Sequence, residues 1–428
     1  MDVTARSGDS IGNSVTDFPP GAGGLADADF SQTARRQAIK ESFALIEPVA
    51  GRFMAYFCGR LFTDNPKLRS MFPAAMDGHG AQLFNAFTRI VWCLDSPDAL
   101  AGHLAALGRG HRKYGVTAAH YAALRDAFMA AMEAFLGDGW TARAADAWQD
   151  VFGHVSSTMI SAADDDARHA PAWWVGEVTA HQRLGPDLAA VWVRPSQPFH
   201  YLAGQHVSLQ CARWPRIWRR FSIADAPRAD GLLQFHVRAV PGGWVSGALV
   251  RHTAPGDTLL LGSAAGTMVI DPGSARDVLC VAGGTGLAPI KAIVQQLMLD
   301  GTDGTDGRHS GHGRHSGHSG QASRLGMQRN IHLLFGARTE KGLYDLPALR
   351  EMERAYPPLR VIPVVSDEPE FDGLRGTLPD VVGRCLPDAD HDVYVSGPAG
   401  MVRETTGVLT AMGIPLSRVH NDPAWMDG

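Results

Sequence analysis

The sequence predicts three domains of different class in one chain: an all-α domain, an antiparallel β-barrel, and an α/β domain on a doubly wound parallel sheet. Three observations predict this. From Ala34 to about Ala163, apolar residues recur at helical spacing and strand-like alternation is absent. From about Trp173 to Asp271 the pattern changes to short alternating runs punctuated by Gly and Pro. From Asp277 onward, strands and helices alternate. At roughly 150 residues per domain, 428 residues leave room for three.

Residues 1–34 are rich in Gly, Ser, Asp and Pro and bury too little to offset ordering entropy, so a disordered tail is expected. The helical domain follows at 35–166. Ile39, Phe43 and Ile46 share one face, and Leu83, Phe87, Ile90, Val91 and Leu94 another. Tyr121, Leu124, Phe128, Met132 and Phe135 follow a cap at Thr117. Trp148, Phe152, Val155 and Met159 follow a cap at Thr141. Asp164, Asp165 and Asp166 read as an acidic hinge. The barrel is expected at 167–273, where Val191/Val193, Val207/Leu209 and Leu233/Phe235/Val237 alternate with their neighbours. The α/β domain is expected at 274–428, with strands at 278–282, 331–336, 361–365 and 393–396 and helices at 289–299, 346–355 and after Pro398. A Gly/Ser/His/Asp/Arg stretch, 301–326, interrupts it. Its His309, His312, His315 and His318 are metal-ligand types, but Gly and Ser around them fix no geometry, so a disordered surface loop is expected.

Composition excludes several classes. With 45% apolar and 19% charged residues the chain is not wholly disordered. A net charge of -5 gives no overall basic footprint for nucleic acid. No run of about 18 apolar residues reads as a membrane span, and no signal-peptide pattern opens the chain. The five cysteines, Cys58, Cys93, Cys211, Cys280 and Cys385, are odd in number and form no CxxC. They fit a reducing cytoplasm. A monomer is expected.

The strongest local signal is a strand running into Gly283, Gly284, Thr285, Gly286, Leu287, Ala288 and Pro289, then a helix. Glycines let the backbone approach a pyrophosphate, and a helix N-terminus presents free N–H groups. Alone, such a turn is often merely tight; the strand–turn–helix context points to dinucleotide binding. The barrel holds Arg219, Arg220, Phe221 and Ser222, then Gly242, Gly243, Trp244, Val245 and Ser246. An Arg and a Ser at alternate strand positions point the same way and suit a phosphate and a flavin edge. The second motif opens a short helix, 245–252, whose N-terminus suits the same phosphates. The bland alternative is a barrel strand with an exposed Arg and a Gly turn.

Arg219-x-Phe221-Ser222, Gly243-x-Val245-Ser246, Gly283-Gly284-Thr285-Gly286 and Ser396-Gly397-Pro398 occur in that order. Over about 173–428 they resemble the ferredoxin–NADP reductase superfamily. The resemblance implies that Arg219 meets FAD phosphate and Ser222 the flavin ring. It also places His206, Arg220, Phe221, Gly243, Val245 and Ser246 among the cofactor-binding residues. Gly283, Gly284, Thr285, Gly286, Leu287 and Ala288 would meet the NAD(P)H pyrophosphate, with Ser396, Gly397 and Pro398. The family usually has Tyr at Phe221 and often Cys at Ser396. Arg338, just after the second strand, is a candidate for a 2′-phosphate, or an ordinary surface Arg, so NADH and NADPH both remain open.

In the helical domain, Leu100, Leu104, Leu107 and His111 recur at helical spacing. A lone inward His is more often a packed core residue. Two further features accompany it: Asn65-Pro66-x-Leu68-x-x-Met71-Phe72-Pro73, and His79 with Leu83 four residues on. Residues 35–163 resemble a globin, and the whole chain resembles a flavohaemoglobin. The resemblance implies haem b, with His111 on the iron, Phe72 wedging the haem and His79 and Leu83 on the distal side. Tyr121 would support the iron-bound His. Cys58 stands where the family has a distal Tyr, with Tyr56 facing elsewhere; Gly110 stands for a common Lys and Ala163 for a proximal Glu. At the C-terminus, Asn421-Asp422-Pro423-Ala424-Trp425 lacks the flavin-shielding aromatic, though Trp425 is adjacent. The implied activity passes electrons from NAD(P)H through FAD to haem, where oxygen and nitric oxide yield nitrate. The rival is a flavin reductase for another acceptor, with the globin as a sensor or regulatory module.

Overall fold

The structure is a computed structural model that describes residues 23–72, 79–303, 329–385 and 390–422. It forms two compact units. The first comprises 1–69, 76–104 and 117–159; the second comprises 70–75, 105–116 and 160–428.

The first unit is helical. Its elements come from α1 (Gly23–Ile46), α2 (Ala50–Asp64), α3 (His79–Trp92), α4 (Pro97–His111), α5 (Ala118–Leu136) and α6 (Ala142–Ala167). The last two turns or so of α4 and of α6 belong to the second unit. The helices meet through rings. Phe128 lies 4.8 Å from both Phe87 and Trp148, and Phe53 meets it edge-on at 5.6 Å. The Trp148 indole donates to Ser42 Oγ at 2.9 Å, so its one polar atom is satisfied inside the core. Removing a ring this deeply buried costs about 3–5 kcal/mol, which makes Phe128→Ala the change that breaks the bundle. The expected caps form. His120 Nδ1 accepts from the Thr117 N–H at 3.0 Å, and Thr141 Oγ1 accepts from the Ala144 N–H at 3.2 Å.

Two boundaries differ from expectation. α1 opens at Gly23, ahead of Ala34, and the rest of the expected tail, 1–22, lies outside the described residues. Alanines at 26, 28 and 34 favour helix. Asp164, Asp165 and Asp166 are no hinge: α6 runs through them to Ala167. Extending a nucleated helix costs little, and Asp166 pairs with the Arg112 guanidinium, which also donates to the Ala170 carbonyl at 2.7 Å.

The second unit contains two sheets. The barrel has strands β1 (Trp174–Arg183), β2 (Leu188–Pro195), β3 (His206–Cys211), β4 (Arg219–Ser222), β5 (Leu233–Arg238) and β6 (Thr258–Leu261). All pair antiparallel, in the order β4-β3-β6-β1-β2-β5. A bridge between Ile223 and Phe235 nearly closes it. The alternating residues read from the sequence, Val191, Val193, Val207, Leu209, Leu233, Phe235 and Val237, fill its interior. Val245 and Leu249 of helix α7 (Trp244–Arg251) join that core.

The other sheet is parallel throughout, in the order β10-β9-β8-β7-β11-β12. Its strands are β7 (Asp277–Gly283), β8 (Ile331–Ala337), β9 (Leu359–Val365), β10 (Leu374–Arg375), β11 (His391–Ser396) and β12 (Val419–His420). One core lies under α8 (Leu287–Asp303) and α9 (Leu346–Ala355), another under α10 (Leu378–Cys385) and α11 (Ala399–Ala411). α8 starts at Leu287, before the expected Pro289, because proline is tolerated where the N–H has no intrahelical partner. The His repeat and most of 301–326 lie outside the described residues. Among the described residues no helix is long and apolar enough to cross a membrane.

Candidate cofactor sites

The strand order reverses at β7, which has β8 on one side and β11 on the other. In open α/β sheets such a switch point opens a crevice at the carboxyl ends of the strands. Both Gly motifs end there. A Cβ on Gly286 would lie 2.4 Å from the Ser396 carbonyl oxygen and 2.5 Å from the Gly397 nitrogen. A Cβ on Gly283 would lie 2.5 Å from Met401 Sδ and 3.2 Å from Pro398 Cδ. Only glycine permits the Gly283–Gly286 turn to pack on Ser396, Gly397 and Pro398. Gly284 is left-handed at φ +56°. Leu287 and Ala288 are buried, so their side chains anchor α8 and only their backbone can face a ligand. Arg338 ends β8 in solvent, 86% exposed, with Nε 2.7 Å from Asp367 Oδ2.

In the barrel, alternation puts Arg220 and Ser222 on one side of β4 and Arg219 and Phe221 on the other. Both arginines are exposed, Phe221 is half-buried and Ser222 is buried. His206 pairs directly with Ser222 across the strands. Its Nδ1 lies 2.6 Å from Asp422 Oδ2, and both side chains are buried. The sequence reading named His206 but missed Asp422, since nothing local joins two residues so far apart. Gly266, at φ +109°, makes room for the pair: a Cβ there would lie 2.9 Å from Asp422 Oδ2 and 3.0 Å from His206 Nδ1. Pro423, Ala424 and Trp425 lie outside the described residues.

Gly243 caps α7. A Cβ on it would lie 2.4 Å from Ser246 Oγ and 2.5 Å from Val240 Cγ2, so a larger residue must turn those side chains aside. The first amides of α7 have no intrahelical acceptor and are free to meet phosphate oxygens. Val245 and Ser246 are buried, Val245 in the barrel core.

Of the candidates in the first unit, Cys58 on α2, Leu83 on α3 and Tyr121 on α5 are all half-buried. Burial raises the Cys58 thiol and pushes the Tyr121 phenol up to about 12, so both keep their protons. Tyr56 is exposed and meets Phe135 edge-on at 5.8 Å, away from the core, as expected. His79 opens α3; its side chain is outside the described residues. In the second unit, Phe72 is half-buried and His111 ends α4. Burial, and then the Lys113 charge, push the His111 imidazole down to about 4. It is therefore neutral, the form that offers a lone pair to a metal. Within the first unit Phe57, Leu104 and Phe128 are fully buried, while Cys58, Leu83 and Tyr121 are not. Partly uncovered apolar surface in that unit fits a flat hydrophobic cofactor such as haem.

The turn after His111 is tied to the barrel within the second unit. Lys113 Nζ donates to Ser208 Oγ at 2.8 Å, and Tyr114 meets Trp218 edge-on at 6.4 Å.

Comparison with known proteins finds relatives of each of the three domains. Residues 55–159 match the globin family, 176–270 the oxidoreductase FAD-binding domain, and 280–406 the oxidoreductase NAD-binding domain. A flavohemoprotein of Chromobacterium violaceum is 24% identical over 418 residues, covering 90% of this chain and 96% of its own. The ferredoxin–NAD(P)+ reductase component of the naphthalene 1,2-dioxygenase/salicylate 5-hydroxylase systems of Ralstonia sp. is 29% identical over 271 residues, covering 63% of this chain and 74% of its own. The crystal structure of a flavohemoglobin from Malassezia yamatoensis, with bound FAD and heme, superposes with a TM-score of 0.72 at 18% identity, covering 91% of this chain and 98% of its own. The chain thus carries a haem-binding globin domain continued by FAD-binding and NAD-binding oxidoreductase domains, the arrangement of the flavohemoproteins it resembles.

Proposed function

We propose that this chain is a nitric oxide dioxygenase fed by NADH or NADPH, a cytoplasmic monomer with domains at 35–166, 167–273 and 274–428. The observation that carries the reading is the neutral, half-buried imidazole of His111 in a chain that also holds a nicotinamide crevice and a flavin strand. When bound, FAD and haem supply the redox chemistry that turns nitric oxide and oxygen into nitrate.

The chain's own residues bind, orient and exclude. His111 offers a ring nitrogen to the iron, and Tyr121 supports it. Phe72 and Leu83 give the haem apolar contact. Cys58 and His79 border the oxygen and nitric oxide, and the protonated Cys58 thiol is a weak donor to them. Arg219 holds FAD phosphate, with the amides of Gly243, Val245 and Ser246, and Arg220 adds charge to the cofactor site from the other side of the strand. Ser222 holds the flavin edge, Phe221 stacks without a hydroxyl, and His206 positions the strand beside them. The backbone of Gly283, Gly284, Thr285, Gly286, Leu287 and Ala288 takes the nicotinamide pyrophosphate against Ser396, Gly397 and Pro398.

The test is nitric oxide consumption by the aerobic, NAD(P)H-fed protein, with nitrate formed in equal amount. A rate no faster than the uncatalysed reaction overturns the reading. A second reading, a reductase for another acceptor, is supported by the likeness of the reductase half to dioxygenase reductase components. It gains if NAD(P)H reduces the flavin but leaves ferric haem unreduced.

A further inference from the structure

We propose that Trp214 and Trp244 form the platform on which the adenine of FAD stacks. The proposal rests on the flavin site assigned above and names what recognises the far end of the cofactor. Trp244 is the first residue of α7, directly after the capping Gly243. Its side chain is 47% exposed, although a tryptophan has much apolar surface to hide. The indole is held in place by Trp214, from the β3–β4 connection, with ring centroids 4.9 Å apart and planes within 23°. Trp214 is itself partly packed on the barrel core, so the pair is anchored on one side and open on the other.

The fold does not require a tryptophan at position 244. Val245, Ala248 and Leu249 pack α7 onto the barrel. What position 244 does have is proximity to the free amides at the start of α7. A pyrophosphate held there leaves its adenosine one ribose away, beside the residue that flanks the helix start. A purine has a π-face and stacks on an indole without needing a hydrogen bond. The pair is therefore suited to the AMP half of FAD, a part that FMN lacks.

The test uses the full-length chain depleted of flavin and titrated with FAD and with FMN by flavin fluorescence. Trp244→Ala is expected to weaken FAD about tenfold or more. FMN should change less than twofold, and Trp244→Phe should restore most of the FAD affinity. Unchanged FAD affinity in Trp244→Ala overturns the proposal. So does an equal loss of FAD and FMN, which would make the pair a packing clip between α7 and the β3–β4 connection. Gly243→Ala separates this from the flavin-site assignment itself, because its Cβ disturbs the phosphate-facing turn. It should weaken FAD and FMN alike. If it weakens neither, the site assignment fails and the platform with it. If it weakens both while Trp244→Ala affects neither, only the platform fails.

Discussion

The reductase half and the helical half build their sites in different ways. At the nicotinamide crevice the residue type is dictated by backbone geometry. A single methyl at Gly286 would come within 2.4 Å of the Ser396 carbonyl oxygen. In the helical half nothing of the kind constrains Cys58, Leu83 or Tyr121, which are half-buried side chains on three helices. On the proposed reading their identity is set by what they do to a ligand. Departures from the family pattern fall on side chains in both halves, at Cys58, Gly110 and Ala163 and at Phe221 and Ser396, while the glycine turns match it. A rigid backbone contact tolerates no change, whereas a side chain beside a cofactor can change and retune it.

The largest expected effect tests the helical half. His111→Ala should abolish the haem Soret band while FAD remains bound, because the bound metal has no other assigned protein ligand. Unchanged haem content would remove the imidazole from the site. Next, Gly286→Ala tests the backbone rule. Overpacking costs about 1–3 kcal/mol, so NAD(P)H-driven flavin reduction should fall about tenfold or more with FAD content unaltered. A normal rate would show that the turn yields more easily than its 2.4 Å contact implies.

Cys58→Tyr tests whether side chains in the helical half retune the ligand. A phenol donates a stronger hydrogen bond than a thiol, so oxygen release should slow about tenfold or more by flash photolysis. If the rate is unchanged, α2 presents another residue to the ligand. His79→Leu in the native background should speed release.

A smaller effect concerns pH. His236 of β5 is buried, its Nδ1 shares a hydrogen bond with the Tyr344 hydroxyl at 2.9 Å, and burial, followed by the Lys291 charge, pushes it down to about 3. Its folded value lies below the unfolded value of about 6.5. The unfolded chain therefore binds the extra proton first. The stability from neutral His236 is complete above about pH 6.5 and declines as pH falls toward 3, by up to about 1.4 kcal/mol per pH unit. His236→Gln should flatten that part of the acid limb in denaturant titrations. An equally steep limb would assign the proton elsewhere.

The smallest effect is on nicotinamide choice. Asp367 holds Arg338 in an exposed ion pair. Such pairs are worth about 0.2–1 kcal/mol, so Asp367→Ala should free the guanidinium and shift kcat/KM toward NADPH by a few-fold at most. No shift would leave Arg338 an ordinary surface residue.

Much of the site was legible in the sequence because it is carried by short motifs. The strand into Gly283 and Gly286, the Arg219–Ser222 strand and the Gly243 turn each lie within a few residues and appear where expected. Their details were less legible. Leu287 and Ala288 belong to the motif as letters, yet their side chains face the core. The acidic run at 164–166 resembled a linker because composition alone does not reveal that Arg112 meets it. Asp422 against His206, and Trp214 against Trp244, carry no local signal.

By itself the sequence determined the class and order of the three folds. Helical and strand periods, caps and glycine turns are written within one or two turns of chain, and local burial enforces them. Only the tertiary structure decided that β11 lies beside β7, opening the crevice where Gly286 meets Ser396. It alone brought Asp422 to His206 and the open face of Trp244 to the start of α7. Strand order and side-chain partners are settled by which apolar surfaces are buried together across the whole chain, and that sum is not contained in any window of residues.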